Sequence, residues 1–149
     1  MLPQQVVKVL LKLVQAVASG DDLTSYEKCD SFDLVAPLKT VLSGKKEVFP
    51  VRTPKEILNT DVLLGAFRHR AARLLAECAE QMQQYTSDGK SPQETWNEGL
   101  VQMARVSRAY SQYLLLKNFY QGIQGSKTIL ELAERSVLLN LARLFGLYW

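Results

Sequence analysis

Acid–base catalysis needs a titratable side chain close to a partner in a protected cleft, and the chain offers a single histidine, His69, for that work. His69 stands in Arg68-His69-Arg70, between two cations and on the polar side of a periodic segment, so it reads as a solvated surface residue rather than a base or a metal ligand. Nucleophilic chemistry would need an activated serine or cysteine. Neither of the two cysteines, Cys29 in a loop-like stretch and Cys78 inside a helical pattern, lies in a CxxC or Cys/His cluster. No glycine-rich phosphate loop and no HExxH occurs. The acid pairs Asp21-Asp22 and Glu131 with Glu134 read as helix-end and surface charges rather than a general acid/base pair. No residue is therefore assigned a catalytic or metal-binding role.

Five arginines could build a basic face for phosphate: Arg68, Arg70 and Arg73 on one helical pattern, Arg105 and Arg108 on the next. The simpler reading is a solvated face whose arginine stems cover apolar surface. Tyr110, Tyr113, Phe119 and Tyr120 interleave with them loosely and read as core or interface aromatics. The net charge of +3, from 18 Lys and Arg against 15 Asp and Glu spread along the chain, implies no nucleic-acid partner.

The elements that would position these residues are helical. Leu2, Val6, Val9, Leu10, Leu13, Val14 and Val17 form an apolar stripe that Gly20 closes. Residues 21–56 read as a linker with a short helix over Phe32 to Leu42, an extended Val48-Phe49-Pro50-Val51 and a capping box at Thr53-Pro54-Lys55-Glu56. Leu63, Phe67, Ala71, Leu74, Cys78, Met82 and Tyr85 recur at steps of three and four, which predicts one helix from about Thr60 to Tyr85. Ser91-Pro92-Gln93-Glu94 is a second capping box and opens a long helix from Pro92 to about Gln121. Ser126 then caps a last helix that is apolar almost all round after Ser136, a pattern of helices buried on every side, so its end at Leu147-Tyr148-Trp149 should be covered by another subunit or by further C-terminal sequence. The fold class is all-α, an antiparallel helical bundle.

At 149 residues the chain has the size of one domain, and 47% hydrophobic with 22% charged residues is a globular balance. Lys8 and Lys12 interrupt the first apolar stretch and no positive charge precedes it, unlike a secretory signal. No uncharged run reaches the roughly 18 residues of a membrane span. The last residues, Leu147-Tyr148-Trp149, are not a peroxisomal Ser-Lys-Leu address. Cysteine usage fits a reducing, cytoplasm-like compartment.

Ala66-Phe67-Arg68-His69-Arg70-Ala71-Ala72-Arg73-Leu74-Leu75, then Trp96-Asn97, then Ala109-Tyr110 leading into Tyr113-Leu114-Leu115-Leu116-Lys117, resembles the C-terminal helical region of acyl-CoA oxidases. Gln5-Val6-Val7-Lys8-Val9-Leu10-Leu11-Lys12 is similar to that family's Gln-x-Ala-Arg-x-Leu-x-Lys helix, and Leu138-Leu139 through Gly146 to its Leu-Leu-x-x-Leu-x-Gly segment. The resemblance thus runs over nearly the whole chain.

It implies a peroxisomal FAD enzyme of fatty acid β-oxidation that converts a fatty acyl-CoA and oxygen to the trans-2-enoyl-CoA and hydrogen peroxide. It also implies a truncated or alternatively started chain. The family's catalytic glutamate, in a Glu-Gly-Glu/Asp-Asn motif, would precede the helix matching Leu2 to Lys12. Only Gln5 matches the near-flavin helix well, and Pro3 stands where the family has an apolar residue. The division expected is residues 1–20 as the end of the flavin-domain bundle, 21–56 as linker, and 57–149 as an incomplete C-terminal helical domain. The chain alone should bind no FAD and be inactive. Its partners would be the upstream flavin and acyl-binding domains or a homodimer mate, and it would self-associate or dissolve poorly when isolated. The competing reading is a free-standing helical protein–protein interaction module that binds through its apolar last helix.

Overall fold

A computed structural model describes residues 3–45, 51–125 and 131–149, and within them the chain forms six α-helices and no strand. The first helix, α1, spans Pro3–Ser19. Its Leu10, Leu13 and Val14 are buried and Lys8, Lys12 and Gln15 face outward as the spacing predicts, but Val7 is buried in place of the expected Val9, which is half exposed. Gly20 ends it with φ +74°, a left-handed turn that lets the Asp21 N–H reach back to the Ala16 carbonyl at 3.0 Å.

The expected helix over Phe32 to Leu42 divides into a 3₁₀ turn, Asp30–Leu34, and α2, Val35–Leu42. Pro37 is accepted because it lies in the first turn of α2, where no intrahelical N–H bond is lost. The extended run expected at Val48-Phe49-Pro50 lies outside the described residues. At Thr53-Pro54-Lys55-Glu56 the Glu56 carboxylate accepts from the Arg52 N–H at 2.7 Å, and only a single 3₁₀ turn, Glu56–Leu58, grows from it. The long helix that follows, α3, spans Thr60–Ser87, with Asn59 capping it by accepting from the Asp61 N–H at 2.9 Å.

The sequence assigns α3 one apolar stripe, and the structure buries more than that. Leu63, Phe67, Ala71, Leu74 and Cys78 are buried as expected, and so are Ala72, Leu75 and Ala76 on a second side. The cause is position: α3 runs through the middle of the bundle and touches all five other helices.

Residues 92–125 depart from the single helix expected. Two helices form, α4 over Pro92–Glu98 and α5 over Leu100–Gly125, with a break at Gly99. The predicted capping box at the start is present: Ser91 Oγ accepts from the Glu94 N–H at 3.3 Å and the Glu94 carboxylate accepts from the Ser91 N–H at 2.9 Å. Gly99 is buried where α3 passes closest, since a Cβ there would lie 2.5 Å from Met82 Sδ, 3.0 Å from Met103 Cε and 3.2 Å from the Thr95 carbonyl. α5 then buries Met103, Val106, Ala109, Tyr110, Tyr113, Leu116, Tyr120 and Ile123 against α3 and α1.

The last helix, α6, spans Leu132–Tyr148. Ser126, expected to cap it, lies outside the described residues. The observed N-cap is Glu131, whose N–H donates to the Glu134 carboxylate at 3.0 Å, so these two acids are helix-end charges. The apolar pattern calls for cover on every side, and the described residues of this chain cover one side only. Only Ala142 is buried; Leu139 and Phe145 are half-buried against the core, Phe145 stacking on Phe67 and Gly146 lying against Leu63 of α3, while Leu132 is 84% and Tyr148 79% exposed. The helix lies on the bundle rather than within it, because α3 and α5 already fill the centre.

Filling the Gly99 contact should be costly. Gly99→Val adds three carbons against Met82 and Met103 and is expected to lower unfolding free energy by about 1–3 kcal/mol. A urea melt checks this, and adding Met82→Ala should recover part of the loss.

Candidate functional site

The polar chemistry of the molecule is concentrated where α5 meets the 3₁₀ turn before α2. Tyr113 and Lys117 are four residues apart and share one face of α5. Asp30 and Asp33 stand three residues apart in the turn whose Leu34 is fully buried, and that burial holds the turn down. The Lys117 ammonium donates to Asp33 Oδ2 at 2.7 Å and to Asp30 Oδ1 at 2.8 Å, and the Tyr113 hydroxyl donates to Asp33 Oδ2 at 2.7 Å. Lys117 is 17% exposed, so water screens the arrangement only in part.

Asp33, Lys117 and Tyr113 are each held in one protonation state. Burial acts to raise the Asp33 carboxyl, but the hydrogen bonds from Lys117 and Tyr113 outweigh it and leave Asp33 below the ordinary carboxylate value. Burial acts to lower Lys117, and its bonds to Asp30 and Asp33 outweigh that and raise it. Tyr113 is pushed up by burial and by its bond to Asp33, and Tyr110, 6.4 Å away ring to ring, is pushed up to about 12 by burial and the two aspartates. A cation fixed between two anions beside two phenols that stay protonated is a clasp; it offers neither an acid nor a base poised near neutral pH. No sequence signal joined Tyr113 and Lys117 to Asp30 and Asp33, because the partners lie 80 or more positions apart.

The residues singled out from sequence are dispersed. His69 is half-buried on α3 rather than fully solvated. Arg70 donates to Gln112 Oε1 and to the Trp149 carbonyl, both at 3.1 Å, and so ties the end of α6 to α3 and α5. Arg73 pairs with Glu77 at 3.3 Å on an open surface, and Arg105 bonds Gln102. Tyr110, Tyr113 and Tyr120 are buried, whereas Phe119 is exposed. Cys29 is exposed and Cys78 buried. Gln5 is exposed on α1, on the same face as Lys8 and Lys12.

Between α1, α2 and α3 lies an open groove of about 1100 Å³ with an apolar floor that includes Leu11, Val14, Ala79 and Met82 and a rim that includes Arg73 and Glu80. Gln5 does not line it. Among the described residues no group of three or more His, Cys, Asp or Glu could hold a metal, and no helix is long and apolar enough to cross a membrane.

The acyl-CoA oxidase family model matches residues 59–149. The peroxisomal acyl-coenzyme A oxidase 1 of Rattus norvegicus is 31% identical over 147 residues, 97% of this chain and 21% of that protein. The same-named protein of Mus musculus matches equally, and that of Phascolarctos cinereus is 34% identical over 93 residues, 62% of this chain and 14% of its own length. The chain spans about a fifth of the length of the curated relatives that match most of it. No solved structure matches it.

The family-matched span holds Tyr113 and Lys117 but not Asp30 and Asp33, so the clasp joins the two parts of the chain. Lys117→Met should lower stability by about 1–3 kcal/mol, the usual worth of hydrogen bonds to charged groups. The advantage of wild type over Asp33→Asn should be full above the ordinary carboxyl value of 3.8 and vanish as pH falls through the lower folded value. Urea midpoints measured between neutral and strongly acid pH check both.

Proposed function

Because this chain belongs to the acyl-CoA oxidase family, we propose that it is the C-terminal helical region of an FAD-dependent, peroxisomal acyl-CoA oxidase-like protein, acting as a structural brace for the part that holds flavin and substrate. In the whole enzyme the reaction would be oxidation of a fatty acyl-CoA to the trans-2-enoyl-CoA, with oxygen taking the electrons to give hydrogen peroxide. The observation that carries this reading is the family match over the span that folds as α3 to α6, together with a packing that uses its polar groups as clasps.

The 149 residues contain no Glu-Gly-Glu/Asp-Asn motif, which supports a chain inactive by itself. The residues present do not make a flavin site. Gln5 stands exposed on the face of α1 that carries Lys8 and Lys12, and the Lys8 ammonium is already taken up over the Trp96 ring. No step is therefore assigned to them. The proposed division is the end of the flavin-domain bundle at 1–20, a linker at 21–56 and the C-terminal helical domain at 57–149. The groove along α1 is where upstream helices would seat.

The alternative is a free-standing helical interaction module. The observation favouring it is that α1 already buries its apolar face inside this chain, leaving Val9 as its exposed large apolar residue, while α6 remains open. Absorbance of the purified chain for bound flavin, with peroxide release from a panel of acyl-CoAs, tests the first reading. The expected result is neither. Turnover by this chain would overturn the brace and place a base and a cofactor site within it.

A further inference from the structure

The large apolar residues that stand exposed are gathered on α5 and α6. On α6, Val137, Leu141, Leu144 and Tyr148 follow at steps of four, three and four, each more than half exposed, on the side away from the buried Ala142. On α5, Val101, Arg108, Leu115 and Phe119 follow at steps of seven, seven and four along one open side. The two sides adjoin, because Arg70 holds both Gln112 of α5 and the Trp149 carbonyl at the end of α6, each at 3.1 Å. Elsewhere among the described residues the exposed large apolar side chains are Val9, Phe32, Leu42 and Leu58, which are scattered.

Charge is divided in the same way. α5 contains no acidic residue, and the cations on its open side are Arg105 and Arg108. Asp30 and Asp33 meet α5 on the opposite side, through Lys117 and Tyr113. From Arg135 to Trp149 the charged residues are again cations alone. The acids Glu131 and Glu134 stand at the first turn of α6, where the Glu134 carboxylate accepts the Glu131 N–H. The side of the bundle that exposes most apolar surface therefore carries charge of one sign.

We infer that the α5–α6 face lies on an anionic lipid surface, with the outward stripe of α6 entering the boundary between headgroups and acyl chains and Arg105 and Arg108 against the negative headgroups. That boundary is apolar below and negatively charged above, and a helix with an apolar outer side flanked by arginines complements both. Tyr148 and Trp149 are residue types that settle there, each an apolar ring with one polar handle. They pack edge to face, 5.3 Å between centroids, at the exposed end of α6. The helix is held in this position by Phe145 stacked on Phe67 and by Arg143, which donates to the Leu58 carbonyl at 3.1 Å. The face is the outer side of two helices, and the groove between α1, α2 and α3 takes no residue from it, so its shape suits a broad surface rather than a single peptide. No described helix is long and apolar enough to cross a membrane, so the contact is peripheral.

The inference rests on exposure and charge, not on the flavin reading, so a chain without flavin or turnover leaves it standing. The test is co-sedimentation of the full chain with vesicles of phosphatidylcholine alone and of phosphatidylcholine with about 30% phosphatidylserine. The expected result is retention by the anionic vesicles, at least about tenfold weaker on the neutral ones and weakened as salt rises from about 0.1 to about 0.5 M. Tryptophan emission should shift to the blue on binding, and Trp149→Phe should remove the shift. Leu141→Glu/Leu144→Glu changes two positions that are more than half exposed, so it should keep the wild-type helical circular dichroism while losing retention. Arg105→Gln/Arg108→Gln should weaken retention about tenfold, and Lys28→Gln/Lys39→Gln, an equal loss of charge at exposed positions outside this face, should not. No retention, equal retention by neutral vesicles, or equal weakening by the two charge pairs would overturn the inference. If the two glutamates instead break up a self-associated chain and leave vesicle binding unchanged, the stripe contacts protein and the inference fails.

Discussion

The bundle depends on how closely α3 can approach its neighbours. A helix that touches five others cannot carry large side chains on every side, and α3 meets the constraint with Ala71, Ala72 and Ala76 buried between Phe67, Leu74 and Leu75. Gly99 extends the same solution to the α4–α5 junction, where the absence of a side chain lets Met82 press against the backbone. Small residues set the interhelical distances and the leucines fill what remains. Leu10, Leu13, Leu34, Leu38, Leu75 and Leu116 are nearly or wholly excluded from water, and each contributes on the order of 2 kcal/mol by that exclusion.

Polar residues fix the order of elements around this centre. Apolar burial is indifferent to small slides of one helix along another, whereas a charged hydrogen bond is not. The Asp30–Lys117–Asp33–Tyr113 clasp sets where the segment after α1 crosses α5, and Arg70 sets where α6 ends. Lys8 over the Trp96 ring, 5.4 Å from its centre, does the same between α1 and α4. These contacts sit in a protein whose family is defined by redox chemistry, yet their chemistry is that of attachment.

The amphipathic stripes of α1 and α3 and the Ser91 capping box were legible because each is a local pattern, repeated over several turns or closed within four residues. The break at Gly99 was not, since a lone glycine inside a helical pattern is tolerated unless a neighbour crowds it, and the crowding atom belongs to Met82 on another helix. Asp33 and Lys117 illustrate the same limit for the polar site: each looks like an ordinary surface charge until the fold brings them together. For α6 the pattern called for cover without naming what gives it. All-round apolarity signals that a helix is covered, but it does not say that this chain supplies the cover. The family resemblance, by contrast, was carried by residues in sequence order and needed no tertiary information.

The two thiols differ in a way that makes the chain report on its own motions. Cys29 is exposed beside the clasp, while Cys78 lies in the middle of α3 with 2% of its surface accessible and its acidity weakened by burial. An alkylating reagent would consume the first sulfur at once. The second becomes reachable only when α3 parts from its neighbours, so its rate of modification is a clock for opening of the bundle core, readable by mass in a dilute sample.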